Sequence, residues 1–465
     1  MSIVLQDPTE QAGATPRGNT DKLLLALITR LHFLAGLFIG PFILIAALSG
    51  LLYALTPQLE YRLYQHLLFT DSRGAVQPLS LQVDAAQRYL GEPAALAAVR
   101  PSPGPGLTTR VMFSVPGLDA SEHWAVFVDP VTATPLGELT VYGTTGVLPL
   151  RSWLGDLHRR LFLGEWGRLY SELAASWLWL MAAGGLLVWR ARVRHRRGSM
   201  RRPELQRWHS SLGLCLLLGM LFFSATGLTW SKWAGDTIGV ARAFAGMATP
   251  ALNTRLDTSA PADMHAEHHA PLPGVAPQSP VDLTPLDQVL LGARRAGIDA
   301  GRIEIRPSGG HDRAWTVTEI DRSWPTQVDA VAIDPRSMQV VDRLEFATYP
   351  LAAKLTRWGI DAHMGSLFGW VNQLLLVLTA AGVVIMVMLG YAMWWRRNTR
   401  NAGALSSGLI TIWGRMTRRS RWGVATAALL LALVMPAFGA SVLLLPLFDW
   451  VSARGSARSP VRKTL

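Results

Sequence analysis

The sequence predicts a membrane α-helical bundle, with four core spans built as a duplicated unit, a fifth helix, and two small α+β domains outside the bilayer. Three observations predict it: apolar runs of bilayer length, arginine clusters beside alternate runs, and an internal repeat of His-led spans. Half of the 465 residues are hydrophobic and only 16% are charged, against about 25% in an ordinary soluble domain. Mean hydropathy is +0.23. This excludes a disordered protein, a nucleic-acid-binding tail and a collagen-like fibre. The net charge of +12 does not signal nucleic acid, because the arginines gather beside the apolar runs. The single cysteine, Cys215, excludes intrachain disulfides, Cys-ligated iron–sulfur clusters and a dithiol relay.

Five runs approach the roughly 20 apolar residues that cross a bilayer core as a helix. They are Leu31–Leu55, Leu173–Trp189, Leu212–Trp230, Leu367–Trp395 and Gly423–Leu445. Backbone polar groups in lipid are satisfied within a helix, so each run reads as helical. The first run starts too late and is too long for a cleavable signal peptide. Arginines crowd 191–207, between the second and third runs, and 396–422, between the fourth and fifth. Short loops rich in Arg mark the cytoplasmic side. Residues 1–30 are then cytoplasmic, and 56–153 and 232–357 are exported. An odd fifth span places the tail, 446–465 with Arg454, Arg458, Arg462 and Lys463, on the opposite side from the two Arg loops.

Each exported segment carries the material of an α+β unit. The first has a helix at Leu81–Leu90 and strands at Arg110–Val115, Trp124–Val128 and Pro135–Leu139. The second has a helix at Leu286–Ala296 and strands at Arg302–Arg306, Ala314–Glu319 and Val328–Ile333. Asp129-Pro130 and Asp334-Pro335 open matching turns. Thr249–Pro280, rich in Pro, Ala and His, reads as linker.

The chain repeats itself. Arg30-Leu-His32 with Gly36 matches Arg207-Trp-His209 with Gly213, and Ser49-Gly50-Leu51 matches Thr226-Gly227-Leu228 without a gap. Asp156-Leu-His158 and Asp361-Ala-His363 are followed six residues later by Gly164 and Gly369. The repeating unit is a span, an exported domain and a second span, with region 154–190 answering 358–395 and 31–55 answering 208–231.

Four histidines therefore occupy equivalent places. His32 and His209 open the outward spans, and His158 and His363 open the inward ones, one pair at each face. Ionisable groups near a bilayer core are costly and usually have a function or a partner. Imidazole binds haem iron, and helix bundles build such sites from facing helices. Each pair is a candidate set of axial ligands, giving two haems. Gly36 and Gly213 would let a flat macrocycle near the backbone. Arg30 and Arg207 on one side, with Arg159, Arg160 and Arg357 on the other, are candidate propionate contacts. About thirty residues separate each inward-span His from its terminal Arg, or roughly 45 Å as one helix, which sets the outer site high in its leaflet. Single histidines at an interface are commonly amphipathic side chains; the repetition argues against that reading.

Other groups carry weaker signals. His265, His268 and His269 form a His-rich tract of the metal-binding kind, inside the Pro-rich linker where an unstructured tether is the plainer reading. His195 belongs to the Arg loop, and His66, His123 and His311 lack partners at metal-ligand spacing. Glu165, Arg168 and Glu172 suit helix-surface pairing, and Cys215 suits a small core residue.

Taken together, Arg30-Leu-His32, Asp156-Leu-His158, Arg207-Trp-His209, Asp361-Ala-His363, Val126–Pro130 and Val331–Pro335 resemble the PepSY-associated transmembrane family. This family includes PiuB-like iron-regulated membrane proteins and bacterial ferric-siderophore reductases. The resemblance spans about Leu24 to Arg397; the fifth helix departs from it. It implies PepSY-like periplasmic domains, two b-type haems in the bacterial inner membrane, outward electron flow and reduction of a periplasmic ferric chelate. No Gly-x-Gly-x-x-Gly motif or P-loop is present, so a cytoplasmic reductase or a membrane quinol would be the donor. Membrane lipid is the surrounding partner and nucleic acid is not one. A rival reading makes the exported units binding or peptidase-inhibitory modules on inert anchors. A transporter ranks last, because midplane acids and broken helices are missing from the pattern.

Overall fold

The computed structural model describes residues 17–91, 94–119, 121–143, 146–194, 203–256, 282–308, 310, 312–400 and 408–457, without the side chains of 17–19, 397–400 and 451–457. In chain order come α1 (Arg17–Phe38), α2 (Gly40–Leu63), α3 (Gln65–Leu68) and α4 (Leu79–Leu90). Strands β1 (Ala95–Arg100), β2 (Thr109–Ser114), β3 (Glu122–Val128) and β4 (Pro135–Tyr142) follow. Next are α5 (Pro149–Arg160), α6 (Gly164–Arg194), α7 (Glu204–Cys215), α8 (Leu217–Thr229), α9 (Trp233–Phe244) and α10 (Leu286–Arg295). The second strand set is β5 (Ile303–Arg306), β6 (Trp315–Glu319), β7 (Ala330–Ile333) and β8 (Val340–Leu344). The chain ends in α11 (Leu351–His363), α12 (Gly369–Arg400), α13 (Leu409–Arg415), α14 (Arg418–Val434) and α15 (Pro436–Ala457).

The chain divides into two units, one of Met1–Leu48, Leu163–Ile238 and Thr379–Leu465, the other of Ser49–Phe162 and Gly239–Leu378. Among the described residues, α2, α6 and Gly369–Arg396 of α12 are long and apolar enough to cross a membrane, and α7 with α8 forms a broken span bent by 59°.

The helical unit corrects the sequence reading of straight spans. The first apolar run breaks at Ile39 and the third at Leu216, which are the same place in the repeat. Pro41 has no N–H to give the Leu37 carbonyl; the Tyr391 hydroxyl donates to that carbonyl instead, at 2.8 Å. At the second break Leu216 seats against Gly382, where an added Cβ would come within 2.6 Å of it. The fifth run is not one helix either. Met435, held out of the helical region ahead of Pro436, has φ −128 and ψ 82. The chain then doubles back, so that a Cβ on Gly439 would come within 2.6 Å of the Ala432 Cβ. α15 docks through Phe438, whose ring centre lies 5.0 Å from that of Trp177, and through Phe448, stacked on Phe38 at 4.5 Å.

The second unit holds one antiparallel sheet of eight strands in the order β4-β3-β2-β1-β5-β6-β7-β8. Two separate exported domains were expected. Their first strands instead pair across Val99 and Ile305, which hides an edge from each four-stranded set. One core serves both halves: Val83 and Ala86 of α4, Val289 and Ala293 of α10, and Val99, Val126, Ile305 and Val331 of the sheet. The Asp287 carboxylate in the first turn of α10 accepts from the Leu79 amide at 2.6 Å, capping α4. The Asp-Pro turns form as expected, with Asp129 accepting from the Val131 amide at 2.8 Å and Asp334 from the Arg336 amide at 3.0 Å. Strands β1 and β8 were not anticipated. Ala-Leu-Ala-Ala favours helix locally, and sheet pairing overrides it.

The inward helices begin later than their histidines suggested. α5 ends at Arg160 and α11 at His363, so His158 and His363 lie on short helices ahead of α6 and α12 rather than on the spans. The repeated glycines explain the restart: Gly164 and Gly369 have φ +57 and +58, a conformation that glycine adopts at little cost.

Candidate functional site

In the helical unit His32 and His209 line one cavity of about 430 Å³, within the size range of cofactor and small-molecule sites. Its walls come from α1, α2, α6, α7, α8 and α12, and the breaks at Ile39 and Leu216 lie about two turns beyond the histidines. Each imidazole meets the inward helix of its own repeat. The His209 Nδ1 lies 3.0 Å from the Met386 carbonyl. A carbonyl only accepts, so Nδ1 carries the proton and Nε2 keeps the lone pair. The equivalent neighbour of His32 is the Met181 carbonyl, though its buried Nδ1 makes no hydrogen bond of good geometry. A Cβ on Gly185 would sit 3.1 Å from His32 Cε1, and one on Gly390 would sit 3.9 Å from His209 Cε1. The repeat thus supplies a matched set, His32 with Met181 and Gly185, His209 with Met386 and Gly390. Gly36 and Gly213 line the cavity, and their open sides face Met181 Cε at 3.5 Å and Met386 Sδ at 3.3 Å.

The sheet-bearing unit brings the other two histidines together. The ring centres of His158 and His363 are 6.4 Å apart, with planes inclined at 55°. Ser49 Oγ lies 3.1 Å from His158 Nδ1, and Gly50 lets the ring approach, a Cβ there falling 3.1 Å from His158 Cε1. Two imidazole nitrogens bonded to one metal at about 2.0–2.1 Å, in line, set ring centres about 6.4 Å apart; tetrahedral placement brings them to about 5 Å. The observed separation leaves room for one metal ion between the two rings. The nearby backbone and hydroxyl partners are of the kind that orient metal-binding imidazoles. Among the described residues no group of three or more His, Cys, Asp or Glu side chains is placed to hold a metal ion by itself. His265, His268 and His269, with His195 and His311, lie outside the described residues.

The arginines are distributed differently from expectation. Arg30 is buried in an ion pair with Asp449 of α15, its Nε 2.8 Å from Oδ1, and is not among the residues lining the His32/His209 cavity. Arg207 is exposed on α7. Arg159 donates to the Tyr142 hydroxyl at 3.1 Å, Arg160 pairs with Asp156, and Arg357 pairs with buried Asp361 at 2.9 Å. The sequence reading missed Arg192 and Arg396, which line the His32/His209 cavity. Their place at the inner ends of the two inward helices, at or next to the terminal Trp189-Arg190 and Trp395-Arg396, was the available signal. His123 lies apart, where burial and the neighbouring Arg306 hold its imidazole below the usual value.

Fold and site define a class: a helical membrane protein with an attached antiparallel sheet and paired intramolecular histidines. The chain belongs to the PepSY-associated TM region family, whose model matches residues 29–397. No curated protein matches it.

Proposed function

We propose that this protein is a di-haem b electron conduit of the bacterial inner membrane, passing electrons outward to a periplasmic ferric chelate of the siderophore type. The observation that carries this reading is the 6.4 Å separation of the His158 and His363 rings, supported by the duplicated His32/His209 arrangement. Bound haem supplies a reversible one-electron couple at iron. The residues supply the rest. Each pair offers two imidazoles; the Met386 carbonyl fixes the His209 tautomer that presents Nε2, and the Ser49 hydroxyl orients the His158 ring. The wall around His32 and His209 includes Leu178, Leu214, Leu217 and Val387, which keep water from the pair. Arg192 and Arg396 bring positive charge suited to propionates.

The reversal at Met435 makes α14 and α15 a helical hairpin, which supports a re-entrant fifth segment in place of a fifth crossing. The donor is a cytoplasmic reductase or quinol. Reduction weakens the hold of a hard-oxygen chelator on iron, so release follows a single electron transfer.

Proteoliposomes test the direction and the acceptor. With a quinol supplied in the membrane and a ferric chelate on the sheet side, the wild-type protein yields ferrous iron trapped by a colorimetric ligand, and the His209→Ala variant does not. Equal yields from the two proteins contradict the proposal.

A further inference from the structure

A second cavity, of about 280 Å³, opens within the sheet-bearing unit between the end of α2, α5 and strands β1 and β5. Its lining includes Arg100, Arg110, Arg151 and Arg302, against Glu60 and Tyr61. The carboxylates do not match this charge. Glu304 pairs with Arg100 at 2.6 Å but is shared with Arg306 at 2.5 Å. Arg110 donates from Nη1 to the Gly146 carbonyl at 3.1 Å and stacks on Phe127 at 5.2 Å. Arg151 donates from Nη2 to the Met364 carbonyl at 3.0 Å, while its buried Nε has no acceptor. Burial, with Arg100 and Arg302 as like-charged neighbours, pulls the Arg110 guanidinium down to about 10. Four arginines, only one of them buried as a whole residue, thus face one cavity and give it a positive field that favours an anion.

The fold does not need Arg110. It stands opposite Phe127 on the neighbouring strand, and the same register position in the second half is Thr316, opposite Ala332. The duplicated unit therefore builds the same sheet without the arginine. The loop is shaped to the cluster as well: Gly146 has φ +59, and a Cβ there would lie 2.2 Å from Arg100 Nη1.

We propose that this cavity is an oxyanion-binding site, taking a carboxylate or phosphate group through the forked donors of Arg110, Arg151 and Arg302. Its volume suits a small polycarboxylate, a lipid headgroup or one anionic arm of a larger chelate. The proposal stands independently of the haem assignment.

Calorimetric titration of the detergent-purified full-length protein tests it, with citrate, inorganic phosphate and a short-chain phosphatidylglycerol as probes. At least one probe binds, more weakly as salt rises, and Arg302→Gln and Arg110→Gln each weaken it about tenfold or more. Preference for citrate identifies a soluble carboxylate ligand, and preference for the lipid a headgroup; each supports the site. Arg302 is exposed, so its variant keeps the test decisive if Arg110→Gln does not fold. Absence of binding by all three probes, or unchanged affinity in variants that melt like wild type, overturns the proposal. The visible spectrum is untouched by that result, so the haem reading is judged separately.

Discussion

His158 and His363 stand with ring centres 6.4 Å apart, although 205 positions separate them in the sequence. Each follows the strands of its own copy of the repeat, on a short helix that ends before the long inward helix restarts at a left-handed glycine. The chain thus brings two equivalent imidazoles of the repeat together on short helices ahead of the spans. In the helical unit His32 and His209 line one cavity. There the His209 ring is held by the Met386 carbonyl, and each ring packs beside a glycine, Gly185 or Gly390, on the inward helix of its own half.

The two glycines are not equally tight, which gives a graded test. A Cβ at Gly185 would meet His32 Cε1 at 3.1 Å, whereas one at Gly390 stays 3.9 Å from His209 Cε1. Gly185→Ala displaces the His32 ring and weakens haem retention at that site by about 10–100-fold, the usual scale for disturbing ligand orientation. Gly390→Ala leaves retention near wild type. Haem content after stepwise washing of the two variants checks the order.

Asp449 of α15 anchors the helical unit through Arg30 and also accepts from the Leu409 amide at 2.6 Å. The Arg30 and Asp449 side chains are 7% and 5% exposed. Asp449→Ala leaves a buried guanidinium unpaired and costs about 3–5 kcal/mol, whereas the double variant Arg30→Met with Asp449→Leu recovers most of it. Denaturant unfolding in detergent measures both.

Acid weakens the sheet through Asp129. Burial alone would raise its carboxyl, but the hydroxyls of Ser72 and Thr70 and the amides of Val131 and Thr132 outweigh burial and hold it below the usual value. The unfolded value is about 3.9. A depressed folded pKa gives stability that is present above the unfolded value and is lost as pH falls through the folded one. Asp129→Asn therefore lowers the melting temperature at pH 6, and the gap to wild type narrows toward pH 3.

The repeat was legible because it recurs at fixed offsets, and it located all four histidines and the Asp-Pro turns. The helix breaks were harder to read, because apolar runs continue through Ile39 and Leu216 and hydropathy registers one span; Pro41 and Pro436 were the local signs. The pairing of β1 with β5 and of Arg30 with Asp449 joins distant segments, and no local pattern encodes it. The buried partner of Arg30 lies 419 residues away, beyond any local pattern. Arg192 and Arg396 were hidden in plain sight, counted as loop charge although they line the cavity.

Haem stoichiometry tests the central claim most directly. Protein purified in detergent and assayed by oxidised and dithionite-reduced visible spectra, against protein concentration, should carry about two low-spin haems per chain. His363→Ala should lose one and His209→Ala the other. A protein without a Soret band, or one whose haem content is the same in both variants as in wild type, contradicts the account.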